Sequence, residues 1–215
     1  MEKLLVRDGT VVATDGKSRA ARVSFVAGVI SLLSLAALHV LSPEFDPSWR
    51  MVSEYALGRY EWVLALMFVS QAVASVALFF AIRSHIRTVG GKIGLFFLLA
   101  AGLGLALAAV FDWTNPLHGL AALIGIPSQT VAALVLSVSL SRTQPRIFSK
   151  KPLLISSNLV WLSLVVMQVL LFTGLARTGG EFGPGVLVGW PNRILIAAYC
   201  AWLLTAASQA GRQAE

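Results

Sequence analysis

Residues Tyr60–Ile82 read YEWVLALMFVSQAVASVALFFAI, and after Glu61 no charged side chain interrupts them. Wound as an α-helix, this run is about 30 Å long, the thickness of the hydrocarbon core of a bilayer. Five more stretches share its character: Ala20–Leu41, Ile93–Val110, Gly119–Ser141, Leu153–Ala176 and Pro191–Ala207. A water-soluble core does not need six such runs. A composition of 57% hydrophobic and 13% charged residues also lies far from the soluble range. The sequence therefore predicts an all-α fold, a polytopic membrane bundle of six transmembrane helices.

Six spans within 215 residues leave room for one compact bundle. The expected division is a tail over 1–19, the six-helix domain over 20–208 and a short tail over 209–215. Any activity then belongs to the bundle or its loops. The first 20 residues lack the continuous apolar run of a cleavable signal peptide. Their alternation around Arg7-Asp8-Gly9 suits a flexible tail or a small hairpin. The single cysteine, Cys200, falls inside the last span, so no intramolecular disulfide forms and a packing role is expected.

The net charge of +7 reports orientation rather than nucleic-acid binding. Thirteen Lys and Arg residues fall on the side of the termini, in the first tail, around Arg83–Lys92, in Arg142–Lys151 and at Arg212. Four (Arg50, Arg59, Arg177 and Arg193) fall on the other. The positive-inside rule predicts both termini in the cytoplasm. The loops Ser42–Arg59, Phe111–His118 and Arg177–Trp190 then face outward, edged by Trp49, Tyr60, Trp62, Trp113 and Trp190. The basic loop RTQPRIFSKKP is suited to fixing this topology beside anionic headgroups.

Polar groups in a bilayer are costly and point to function. Here they gather at the outward boundary: His39, Ser53-Glu54-Tyr55, Asp112, His118 and Asn192-Arg193. Counting back from Asp112 in helical steps meets Ala109, Ala108, Leu105, Gly102 and Ala101, a small face that lets helices approach and turns Asp112 inward. Forward from His118 the steps meet Ala122, Gly125, Gln129 and Ala132. Asn192 and Tyr199 share a face, as do Ser157, Trp161, Leu164 and Gln168. These faces predict a cavity open outward and narrowing toward Gln129 and Gln168. Across the Asn115-Pro116 turn, Asp112 and His118 top adjacent helices, where an acid either orients an imidazole, shares a metal with it or locks the hairpin. Arg193, at a helix start, is expected to pair with Glu54 or Asp112, or to grip an anionic ligand. The stretch Gly179–Gly185 suggests a mobile lid, and it lacks the Gly-Lys-Ser/Thr ending of a phosphate-binding loop.

The outer loop carries a resemblance. His39-Val-Leu-Ser-Pro-Glu-Phe-Asp-Pro, Met51-Val-Ser-Glu-Tyr-Ala-Leu-Gly58 and Phe111-Asp112 with Leu117-His118-Gly119-Leu120-Ala121 are similar to a family of prokaryotic six-helix membrane proteins, domain of unknown function 998. The resemblance implies a six-helix fold, a prokaryotic plasma-membrane location and no settled activity. It supports His39, Ser53, Glu54, Tyr55, Asp112 and His118 as positions to test.

The leading functional reading is binding of a lipid or small amphiphile in the outward cavity. Glu54, Tyr55, Asp112, His118, Gln129, Asn192 and Arg193 then form the ligand-binding set, and membrane lipids are the partners. The alternative is an intramembrane hydrolase, with Ser53, Asp112 and His118 as catalytic candidates. A catalytic zinc would draw on His39, Asp112 and His118, but no histidine follows His118 to supply the late pair such enzymes usually carry. Haem between His39 and His118, and transport, rank lower: no repeat is visible, and only Pro127 breaks a span. The cofactor is left unassigned. No nucleic acid is expected as a partner, and a homo-oligomer is compatible with the chain.

Overall fold

The structure, a computed structural model, describes residues 2–212, with nothing stated for the side chains of 2–15. Six long helices follow one another: α1 (Glu2–Leu41), α2 (Glu61–Ile82), α3 (Val89–Val110), α4 (Pro116–Thr143), α5 (Lys150–Arg177) and α6 (Gly189–Gly211). Each contains a stretch long and apolar enough to cross a membrane, and no strand occurs among the described residues. The fold is thus the expected multi-pass helical bundle. Because the helix count is even, the start of α1 and the end of α6 share one end, called here the terminal end.

α3 to α6 overrun the predicted apolar runs by one to four residues at their extended ends, because polar caps and boundary residues extend them. α2 keeps its predicted run to within a residue, whereas α1 begins 18 residues earlier. Thr88 Oγ1 accepts from Gly91 N at 3.0 Å to open α3, and Asn115 Oδ1 accepts from Leu117 N at 2.9 Å to open α4, with Pro116 in its first turn. α1 is already helical through Gly16–Arg19, so the boundary drawn at residue 19 is no structural break. Arg7-Asp8-Gly9, expected in a flexible tail or a small hairpin, instead lies within the helical backbone of α1. α6 likewise runs on to Gly211, and residues 213–215 lie outside the described chain.

Small and polar residues set the packing, as they do where lipid removes the hydrophobic drive between helices. Gly104 of α3 sits so close to α4 that an added Cβ would lie 2.5 Å from Gly125 Cα. Ser24 Oγ of α1 donates to Ala74 O of α2 at 2.8 Å. Trp202, fully buried on α6, donates through Nε1 to Ser137 Oγ of α4 at 2.9 Å. α2 and α6 are the most enclosed spans and α5 is the most peripheral.

Candidate functional site

The end opposite the termini is built by the segment between α1 and α2, which includes a 3-10 turn, Val52–Leu57. Glu54 closes that turn. Its Oε1 accepts from Arg50 Nη1 and its Oε2 from Met51 N, both at 2.7 Å. Glu54 is buried, so both carboxylate oxygens are committed to the loop that carries them.

Arg193 docks the turn on α6. Its Nη1 donates to Arg50 O at 2.6 Å and Gly189 O at 3.0 Å, and its Nη2 donates to Tyr55 Oη at 2.9 Å. The guanidinium also lies over the Tyr55 ring, 5.3 Å from its centroid. Neither expected acid partner is used: Glu54 is held by Arg50, and Asp112 faces solvent. Carbonyl and phenol oxygens replace them, and Nε has no partner. Beside Arg193, Asn192 Oδ1 accepts from Val52 N at 2.9 Å, while its Nδ2 lies 3.6 Å from Met167 Sδ. Gly189 is required by close approach, since a Cβ there would lie 2.3 Å from Pro47 O.

His118 is buried at the start of α4, and its Nδ1 lies 2.8 Å from Phe111 O. A carbonyl only accepts, so a neutral His118 holds its proton on Nδ1 and leaves Nε2 as an acceptor. Asp112 does not orient it. α3 ends at Val110, so helical counting does not carry through to Asp112. The exposed carboxylate Oδ1 instead accepts from Thr114 Oγ1 at 2.6 Å and Thr114 N at 2.8 Å. These bonds hold the Asp112 carboxyl below the ordinary carboxylate range. Ser53 makes no hydrogen bond to His118, so the three catalytic candidates do not form a relay.

Two spaces meet at Ser53, Ala108 and His118, which line both. A cleft of about 260 Å³ lies on the outer side, with Glu61, Trp62 and Asp112 on its rim. A smaller cavity of about 80 Å³ lies inside, among α2, α3, α4 and α6. Ala122, Gly125, Gln129 and Asn192 line it, as the helical faces predict. Gln168 does not, and on its α5 face Trp161 is exposed. The reading of the sequence missed Gln71, a fully buried cavity residue of α2. Its Nε2 lies 3.1 Å from Cys200 Sγ, and its Oε1 has no partner. Its signal in the sequence is a lone amide at the centre of the otherwise apolar Tyr60–Ile82 run.

His39 is placed apart from His118. Its ring stacks on Trp190 at 5.6 Å and meets Tyr55 edge-on at 6.4 Å. Among the described residues no three His, Cys, Asp or Glu side chains come together to hold a metal ion. The stretch expected to act as a lid is tied down on one flank by Val186 and Val188, both fully buried, with Val186 packed against Gly174. Its exposed tip contains Gly179 and Gly180, at φ +68° and +93°.

A family model described as "Protein of unknown function (DUF998)" matches residues 25–209. No curated protein and no solved structure matches the chain.

Proposed function

The chain belongs to the DUF998 family, and from the geometry of its far end we propose that it binds a small amphiphile there. The far end faces outward in this reading and both termini lie in the cytoplasm of a prokaryotic cell, as the Lys and Arg distribution favours. The observation that carries the proposal is the unpaired, fully buried Oε1 of Gln71 on a cavity that adjoins an outer cleft at Ser53 and His118. A buried acceptor without a donor is costly, and a ligand hydroxyl or amide on Gln71 relieves that cost. The cavity and cleft are small beside the roughly 300–1,000 Å³ of drug-sized sites, so the occupant is narrow. Phe68, Leu105, Ile126 and Leu195 present it an apolar wall, while His118 Nε2 and Gln129 add polar points.

Glu54, Tyr55 and Arg193 take a supporting role in this reading, because their polar atoms already hold the 3-10 turn on α6. Hydrolysis is the weaker alternative, since Ser53, His118 and Asp112 are not hydrogen-bonded to one another. Native mass spectrometry of the chain in mild detergent tests the proposal. The expected result is a retained amphiphile mass that disappears in Gln71→Leu and His118→Ala at unchanged folding yield. A bare polypeptide mass in the wild type, or an adduct indifferent to both substitutions, overturns it.

A further inference from the structure

A groove of about 1,020 Å³ runs along the outside of the bundle, floored by α2 and walled by α1 and α3. Its polar side chains, Lys17, Arg83 and Ser84, all sit at the terminal end. From there the lining is apolar through Val73, Val76, Leu99 and Leu103. Ser84 to Ala72 is roughly 18 Å of helix on α2. On α3 the lining runs one turn past Gly102, which is level with Ala72, to Ala106, so the groove passes the midplane of a hydrocarbon core about 30 Å thick. Its floor is deepened by Ala72, Ala77 and Gly102, where an added Cβ would already meet Val76 Cγ2 at 3.3 Å.

Neither Lys17 nor Arg83 has a carboxylate within ion-pair distance among the described residues. Arg83 is exposed, with its guanidinium 5.1 Å from the centre of the Phe80 ring. Val76, Phe80 and Leu103 are exposed as well, and in water such a surface would need a cover. The groove begins at two cations, which favours an occupant with an anionic headgroup over an apolar helix of a second copy.

We infer that the groove holds one phospholipid with an anionic headgroup. Its phosphate meets Lys17 and Arg83, and an acyl chain lies against Val73, Val76 and Leu103. The groove's cationic mouth is at the opposite end from His118. Although its inner part at Ala72 and Ala106 reaches the depth of Gln71, no residue lines both spaces, so the site stands independently of the cavity. Each cation near a membrane surface attracts anionic lipid by an amount that, for two, corresponds to about a 30-fold preference over a zwitterionic lipid.

The test titrates delipidated full-length chain with phosphatidylglycerol or phosphatidylcholine of identical acyl chains and counts adducts by native mass spectrometry. A single phosphatidylglycerol adduct is expected at about 30-fold lower concentration than its phosphatidylcholine counterpart. In Lys17→Gln/Arg83→Gln the two lipids should become equivalent. Arg87→Gln removes an exposed cation of the same end outside the groove and should change nothing. Ala106→Trp, at an exposed position in the apolar part, should weaken both lipids. Equal binding of both lipids by the wild type overturns the inference. So does equal weakening by Arg87→Gln, or a dimer that Ala106→Trp dissolves while lipid binding is unchanged. Gln71→Leu should leave this adduct intact, which separates its failure from failure of the far-end site.

Discussion

Arg193 Nη2 donates a 2.9 Å hydrogen bond to Tyr55 Oη, joining the first turns of α6 to a 3-10 turn 138 residues earlier. Both residues are buried, and the cation is satisfied by neutral oxygens. Tyr55→Phe keeps the ring and removes only the acceptor. Leaving a buried charged donor unmet costs about 1–3 kcal/mol or more. Tyr55→Phe should therefore lower the thermal midpoint in detergent, and Arg193→Met, which also strips Arg50 O of its donor, should lower it further. An unchanged midpoint in both variants would mean that this contact does not hold the far end together.

Gly189 and Gly119 should respond oppositely to alanine. A methyl at Gly189 would drive into the backbone of Pro47, Trp49 and Arg50, which cannot swing aside. Gly119 lies in α4 with nothing within 4 Å of the added carbon. Gly189→Ala should destabilise by about 1–3 kcal/mol, as overpacking does. Gly119→Ala should stabilise by roughly 0.5–1 kcal/mol through helix propensity. Parallel melting of the two variants checks both signs.

The six spans were legible because each is an apolar run whose length the bilayer dictates. The inner faces of α4 and α6 were also legible: Ala122, Gly125 and Gln129 line the cavity, and both Asn192 and Tyr199 are buried. Partners across the chain were not. Charge alone matched Arg193 with Glu54, but Arg50, four residues before Glu54, reaches that carboxylate first. Periodicity turned Asp112 inward, yet the helix ends at Val110 and Thr114 captures the side chain. Gln71 carries no motif; only the neighbours supplied by α3, α4 and α6 make its amide conspicuous.

Acid should loosen the far end by protonating its exposed, hydrogen-bonded carboxylates. Asp46 accepts from Ser48 N at 2.8 Å, and this bond lowers its pKa as those to Thr114 lower that of Asp112. A depressed folded pKa contributes stability that is fully present above the ordinary Asp value. That stability is lost as pH falls through the folded value. The melting midpoint should be flat in this respect above about pH 4 and decline below it. Asp46→Asn/Asp112→Asn should make that decline shallower. A variant whose acid limb parallels the wild type would remove these two groups as its cause.

Orientation can be read with cysteines, because Cys200 is fully buried and the wild type should be silent to a thiol reagent. Glu181 is exposed in the loop before α6, at the far end, and Ser149 is exposed at the start of α5, at the terminal end. With the termini in the cytoplasm, Glu181→Cys should react with a membrane-impermeant maleimide in intact cells. Ser149→Cys should react only after the membrane is opened. The reverse pattern would turn the cleft of Ser53 and His118 toward the cytoplasm, so an amphiphile would reach Gln71 from the inner leaflet. It would also place Lys17 and Arg83 outside. Labelling of both positions from one side would mean that α5, which separates them, does not cross the membrane.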